Sequence, residues 1–238
     1  KINYEPVKGF RVTQFIECPE KNILVSTMGG GIFIIDSLLR CSPFNSNSIQ
    51  SVNTIIYNNN EVLTGTNEGL FICTQKSCEP AGIPELKDKR ITKIIPSLFI
   101  SQSFWVATEG DGLYCIRKKG KGYILLYRIF DELVSKEKKI SDIYYDTDHQ
   151  LWISLFGEGI RRLTFLNSNP ADIIQTVAID ESNGLPGNNI QTIFQDFEGN
   201  MWFGTFGSGL IEKPVEAFSF FKNENPLIRE NVLAVLID

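Results

Sequence analysis

One segment of the chain recurs five times, and a recurrence of that kind constrains the fold more than any single motif does. Its central part reads Leu24-Val-Ser-Thr-Met-Gly-Gly-Gly31-Ile32, then Leu63-Thr-Gly-Thr-Asn-Glu-Gly69-Leu70 and Trp105-Val-Ala-Thr-Glu-Gly-Asp-Gly112-Leu113. The last two copies are Trp152-Ile-Ser-Leu-Phe-Gly-Glu-Gly159-Ile160 and Trp202-Phe-Gly-Thr-Phe-Gly-Ser-Gly209-Leu210. The final glycines are spaced by 38, 43, 47 and 50 residues. Upstream of each stands an apolar pair at i and i+3: Val12/Phe15, Val52/Ile55, Ile91/Ile94, Ile140/Ile143 and Ile190/Ile193. A sixth pair, Val232/Val235, follows near the C-terminus without a repeat body.

Between the pair and the aromatic lies a polar turn, such as Asp146-Thr-Asp-His-Gln150 or Asp196-Phe-Glu-Gly-Asn200. Two more apolar runs follow each glycine, for example Leu113-Tyr-Cys-Ile116 and Tyr123-Ile-Leu-Leu-Tyr127. The runs are short, β-branched or aromatic, and punctuated by Gly, Asn and Asp, so each unit predicts four antiparallel strands. Four strands per unit of this length is the size of one propeller blade, and the expected fold is all-β, a β-propeller. The expected blades are 10–48, 49–87, 88–128, 137–180 and 187–222, with a further one beginning at 230–238. If five blades close a ring, terminal strands Ile2–Val7 and Val232–Ile237 join it. Helix is scarce; Phe130–Glu137 suits one or two turns in a connector. Blades bury both faces, so strands need apolar residues on both sides. Trp105, Trp152 and Trp202 are read as wedges between blades whose indole N–H each needs a partner.

Composition narrows the function. At 238 residues, 42% apolar and 21% charged, the chain is globular and can bury a large core. A net charge of −5 lacks the field of a nucleic-acid binder, and no such partner is expected. No apolar run approaches the roughly 20 residues of a membrane span. The first residues, Lys-Ile-Asn-Tyr-Glu-Pro, show no signal peptide, which is absent or removed ahead of this numbering. The five cysteines, Cys18, Cys41, Cys73, Cys78 and Cys115, leave at least one unpaired within the chain. Cys73 and Cys78 bracket a Thr-Gln-Lys-Ser loop and can face each other across two strands; buried free thiols are the preferred reading. With no CxxC and one histidine, His149, neither a zinc site nor a His-dependent nucleophile is expected, and no cofactor. The acidic pairs Asp146/Asp148 and Asp196/Glu198 read as hairpin turns rather than calcium loops.

The fifth copy, from Gly184-Leu-Pro-Gly-Asn-Asn-Ile-Gln-Thr-Ile through Asp196 and Trp202 to Leu210, resembles the two-component regulator propeller family. Other copies drift: Cys18 replaces the turn Asp and Leu24 the Trp in the first, and Asn58 and Ser97 stand at the Asp position in the second and third. The resemblance implies a ligand-sensing, non-catalytic module on the extracytoplasmic side of a membrane sensor kinase of a Bacteroides-like bacterium. The implied location is periplasmic, the implied ligand an oligosaccharide, and the implied assembly a homodimer of the parent protein. Membrane attachment and the kinase would lie outside this chain, and the five blades would form part of a larger, seven-bladed ring.

Propeller ligands gather on loops at the face where the inner strands begin. Two rings of residues follow from the repeat. Arg11, Ser51, Arg90, Lys139, Asn189 and Asn231 precede the inner strands; three are cationic and none acidic, a bias suited to carboxylate or sulfate. The plain alternative is a solvated polar loop. The glycine turns supply the second ring, with Glu109, Asp111, Phe156, Glu158 and Phe206 among its members. Phe156 and Phe206, at equivalent positions, suit stacking on sugar rings or packing between blades. Glu109, Asp111 and Glu158 are the only carboxylates that an alternative reading as a hydrolase or lyase could use. A protein-interaction scaffold is the third reading.

Overall fold

The computed structural model describes residues 5–45, 49–129, 138–166, 173–214 and 219–221. It contains five four-stranded antiparallel sheets side by side around an axis, a β-propeller. Blade 1 holds β1 (Arg11–Cys18), β2 (Asn22–Met28), β3 (Gly31–Ile35) and β4 (Cys41–Pro43). Blade 2 holds β5 (Val52–Asn58), β6 (Glu61–Thr66), β7 (Leu70–Cys73) and β8 (Cys78–Pro80). Blade 3 holds β9 (Ile91–Pro96), β10 (Ser103–Thr108), β11 (Leu113–Lys119) and β12 (Gly122–Ile129). Blade 4 holds β13 (Ile140–Tyr145), β14 (Leu151–Leu155), β15 (Gly159–Phe165) and β16 (Ile173–Ile179). Blade 5 holds β17 (Ile190–Gln195), β18 (Met201–Thr205), β19 (Leu210–Lys213) and β20 (Ser219–Phe221). The inner strands β1, β5, β9, β13 and β17 touch in series; β17 and β1 make no comparable contact among the described residues. Glu5–Val7 form a 3₁₀ turn, within the segment that would be a terminal strand if five blades closed a ring. Pro6 lies in this segment; its ring removes a backbone donor that a sheet ladder would need. The connector 130–137, Asn231 and the sixth apolar pair lie outside the described residues.

Each interface between blades is a separate apolar core. Blades 3 and 4 meet through Trp105, Leu113, Ile140, Ile143, Leu151 and Leu163, all buried. Both members of every apolar pair in blades 2 to 5 point at the preceding blade and are buried there. The same positions in blade 1, Val12 and Phe15, are 36% and 62% exposed; Val7 and Phe10 pack beside Phe33 on that face, but no further blade among the described residues covers the pair.

Repeated polar residues satisfy backbone groups at the turns, a threonine in four of the five blades and an aspartate in two. Thr27, Thr66, Thr108 and Thr205 donate their hydroxyls to the carbonyls of Gly31, Gly69, Gly112 and Gly209 across the turn between the second and third strands. At Gly159 the glycine is obligatory, because φ is +78° and a Cβ would strike the Ile179 carbonyl oxygen. The turn Asp serves its own hairpin and its own Trp: Asp146 accepts from Trp152 Nε1 at 2.7 Å and from the Gln150 N–H at 2.8 Å. Asp196 accepts from Trp202 Nε1 at 2.8 Å and the Asn200 N–H at 2.9 Å. In blade 3, where Ser97 stands in place of Asp, Trp105 Nε1 instead donates to the Tyr145 hydroxyl of the next blade, at 2.7 Å. The expected indole partners are therefore present, one of them supplied by a neighbouring blade.

Cys73 and Cys78 lie opposite each other at the start of β8 and form a disulfide, against the preference for free thiols. The short loop between β7 and β8 sets a register that places Cys73 directly across from Cys78. Cys18, Cys41 and Cys115 are free; burial raises all three thiols, Cys115 to about 12, so it stays protonated and unreactive.

Two outcomes follow for one repeat position and one cross-link. Ile143→Ala, at a buried member of the pair, lowers unfolding free energy by about 2–5 kcal/mol. Phe15→Ser, at the exposed equivalent, changes it by about 0.5 kcal/mol or less. Urea titration of the two variants measures both. Non-reducing peptide mapping yields one cross-linked peptide, joining Cys73 to Cys78.

Candidate functional site around the propeller axis

Every inner strand carries a β-bulge at the same place. The ladder skips one residue between Val12 and Gln14, Val52 and Thr54, Ile91 and Lys93, Ile140 and Asp142, and Ile190 and Thr192. The skipped residues are Thr13, Asn53, Thr92, Ser141 and Gln191, polar in all five blades. A bulge re-aims a side chain and shifts the strand's alternation by one. These five residues form a collar around one cavity of about 270 Å³, whose walls also include Arg11, Arg90, Lys139 and Met28. Walls from all five inner strands place the cavity on the axis.

The collar is unevenly satisfied. Thr13 Oγ1 donates to the Val52 carbonyl at 2.8 Å and Asn53 Nδ2 to the Ile91 carbonyl at 2.8 Å, each tying its blade to the next. Asn53 Oδ1 and the hydroxyls of Thr92 and Ser141 are buried and have no partner among the described residues.

One residue further on, a belt of bonds joins the blades. Gln14 Oε1 accepts from the Ile55 N–H at 2.9 Å, and Thr54 Oγ1 accepts from the Ile94 N–H at 3.3 Å. Asp142, with its side chain 4% exposed, holds Lys93 at 3.0 Å, the Thr192 hydroxyl at 3.1 Å and the Ile193 N–H at 2.9 Å. It is thereby bonded to the blades on both sides of its own.

Above the collar the two predicted rings are stitched into one surface. The Gly110 N–H donates to the Lys138 carbonyl, Gly159 to Asn188, and Gly29 and Gly31 to Gln50, each from a glycine turn to the connector of the next blade. Phe156 is 37% exposed and Phe206 50%, with ring centroids 6.3 Å apart and planes at 64°. They pack edge to face and still present an aromatic ledge, so the two readings of these residues describe one arrangement. Lys139 Nζ sits 5.6 Å from the centre of the Phe156 ring, linking ledge to cavity.

Of the predicted residues, Arg11, Arg90 and Lys139 line the cavity. Asn189 sits one strand step above the collar, where its carbonyl accepts the Phe206 N–H at 2.8 Å; Gln191 takes its place in the wall. The three carboxylates are engaged elsewhere. Glu109 pairs with Arg90 at 2.8 Å and Glu158 with Lys138. Asp111 pairs with Lys89 and Arg128 and accepts from the Tyr114 hydroxyl. Burial first, then that hydrogen bond, pushes the Tyr114 phenol upward. The Arg90–Glu109 pair is well exposed and of the kind worth about 0–1 kcal/mol, so an incoming carboxylate can claim Arg90 at little cost. The turn carboxylates Asp146 and Asp196 are taken up by their own hairpins.

The collar was not predicted, though a signal for it exists. Residues at i and i+2 of a strand share a side, so Arg11 implies Thr13, Arg90 implies Thr92, and Lys139 implies Ser141.

The architecture defines a β-propeller with an axial cavity. Residues 184–207, in the fifth blade, match the family model of the two component regulator propeller. No curated protein matches the chain. Among solved structures, the extracellular domain of BT3049 of B. thetaiotaomicron, described as a hybrid two component system, superposes with a TM-score of 0.72 at 18% identity. That match covers 93% of this chain and 30% of the other. The extracellular domain of BT4673 from the same organism gives 0.69 at 15% identity, over 92% and 28%. An ancestral GH74 enzyme gives 0.60 at 15% identity, over 85% and 30%. The chain thus spans about three-tenths of the length of these structures. Among the described residues no helix is long and apolar enough to cross a membrane.

Two substitutions probe the frame of the site. Asp142→Ala strands Lys93 and two donors of blade 5, and costs about 3 kcal/mol in urea titration. Burial raises the Asp196 carboxyl, but its bonds from Trp202, Asn200 and Glu198 outweigh this and hold it below the usual range. Its folded value is depressed, so its contribution is full above about pH 4 and is lost as pH falls through the folded value. Asp196→Asn therefore narrows the gap in stability between pH 7 and pH 3, which thermal melts at the two pH values measure.

Proposed function

We propose that this propeller is the ligand-binding part of an extracytoplasmic two-component sensor, that it recognises an oligosaccharide at the mouth of the axial cavity, and that it performs no chemistry on it. The observation that carries this reading is the cavity itself, built from all five inner strands under a cationic rim and an aromatic ledge. A ligand seated there touches several blades at once, so its binding energy can favour one relative placement of the blades over another. That is the property a relay to a kinase outside this chain requires. The family of the fifth repeat and the extracellular origin of similar folds support the sensor role. The Cys73–Cys78 disulfide supports an oxidising compartment, the periplasm. Dimerisation of the parent protein belongs to the same reading.

The enzymatic reading has the fold likeness to a GH74 enzyme in its favour. Against it, Glu109, Asp111 and Glu158 are all held in ion pairs and none lines the cavity.

Calorimetric titration of the intact protein against a panel of polysaccharide-derived oligosaccharides tests the proposal. One class binds and is recovered uncleaved, and Lys139→Ala or Phe206→Ala weakens it by about tenfold or more. Absence of any saccharide ligand, or cleavage abolished by Glu158→Gln, contradicts it.

A further inference from the structure

We infer that the axial cavity receives the acidic end of the oligosaccharide, one uronate ring deep, with its carboxylate on Lys139 and on the hydroxyls of Thr92 and Ser141, and a ring hydroxyl on Asn53 Oδ1, these three protein oxygens turning toward the ligand from positions closed to solvent. This rests on the oligosaccharide reading above and names the chemistry of its end group.

The collar position has a structural use in blades 1 and 2, where Thr13 and Asn53 donate to the carbonyl of the next inner strand. In blades 3 and 4 the same position carries a hydroxyl that makes no such bond. A buried hydroxyl without a partner is unfavourable, and a fold selected for stability alone would place valine or alanine there. Two adjacent blades carrying the same unfavourable feature on the same cavity point to a ligand that completes them.

Charge decides which ligand. The described lining holds three cations and no carboxylate. Arg90 already shares Glu109, but among the described residues the side chains of Lys139 and Arg11 pair with no carboxylate, and the Lys139 ammonium lies over the Phe156 ring. A metal cation is repelled by such a wall, and an anion is drawn to it. Asn53 Oδ1 is an acceptor, so it repels a bare anion and requires a donor on the same ligand. A carboxylate with hydroxyls a few bonds away, as on a sugar acid, satisfies both demands; the sulfate ion, which has no donor, does not. Size sets the depth. About 270 Å³ falls below the roughly 300–1,000 Å³ of clefts for drug-sized ligands, so one ring enters and the chain leaves through the mouth. The ledge of Phe156 and Phe206 lies beside that mouth, in place to carry the next sugar.

The test is isothermal titration of the intact protein with oligosaccharides cut from several uronate-containing polysaccharides. Each is paired with its carboxyl-reduced counterpart of the same stereochemistry. At least one acid-ended oligosaccharide binds, and reduction of its carboxyl weakens it by about tenfold or more, as loss of a charge-assisted pair does. The double variant Thr92→Val, Ser141→Ala loses a comparable factor, and its melting temperature stays level or rises, since it removes unpartnered groups. Equal binding of native and reduced sugars, undiminished binding by the double variant, or a fall in its melting temperature overturns the inference. Neutral oligosaccharides that bind and are lost in Phe206→Ala overturn it while leaving the sensor reading intact. If no saccharide binds at all, both fall.

Discussion

The structure depends on one extra residue in each inner strand. A strand sends side chains alternately to its two sides, so residues at i and i+3 belong on opposite faces. The bulge between them cancels one step of the alternation, and both apolar residues then enter the same interface with the preceding blade. The residue that is skipped goes to the axis. A single backbone irregularity therefore builds the apolar joints between blades and, with the same residue, the polar wall of the cavity. Had the strands run without it, either Ile143 or Ile140 would face away from the core that now buries both.

Around that constraint the blades are joined by bonds of very unequal weight. Exposed pairs such as Arg90 with Glu109 contribute little and leave their cations open to exchange. Asp142 is of a different kind: buried, with donors from the blades on both sides of its own, it is a charge that no other partner can relieve. The rim can thus change its partners while the frame beneath it holds still, which is how a rigid scaffold presents an adaptable surface.

The blade design was legible in the sequence because its signals are local. Trp, Gly and the turn Asp lie within one hairpin, and Asp196 bonding Trp202 explains why the two residues recur together. Where the Asp is lost the sequence gives no hint of the replacement, since Tyr145 comes from the next blade. The cationic part of the cavity was legible from residues just ahead of the inner strands, and Arg11, Arg90 and Lys139 do meet there. The collar was missed for a physical reason. The i and i+3 spacing of the apolar pair demands a bulge on a strand, but only once both residues are known to enter the same interface. The engagement of Glu109, Asp111 and Glu158 by cations depends on connectors whose path composition does not fix. The Cys73–Cys78 bond depends on the register of β7 with β8.

The account centres on five bulged residues facing one axial cavity and taking an acidic sugar there. A crystal structure of the protein with an acid-ended oligosaccharide tests this most directly. The account predicts five bulged inner strands and sugar density on the axis, with its carboxylate between Thr92 and Ser141. Unbulged inner strands, with these side chains turned into the blade interfaces, or a ligand bound away from the axis, would contradict it.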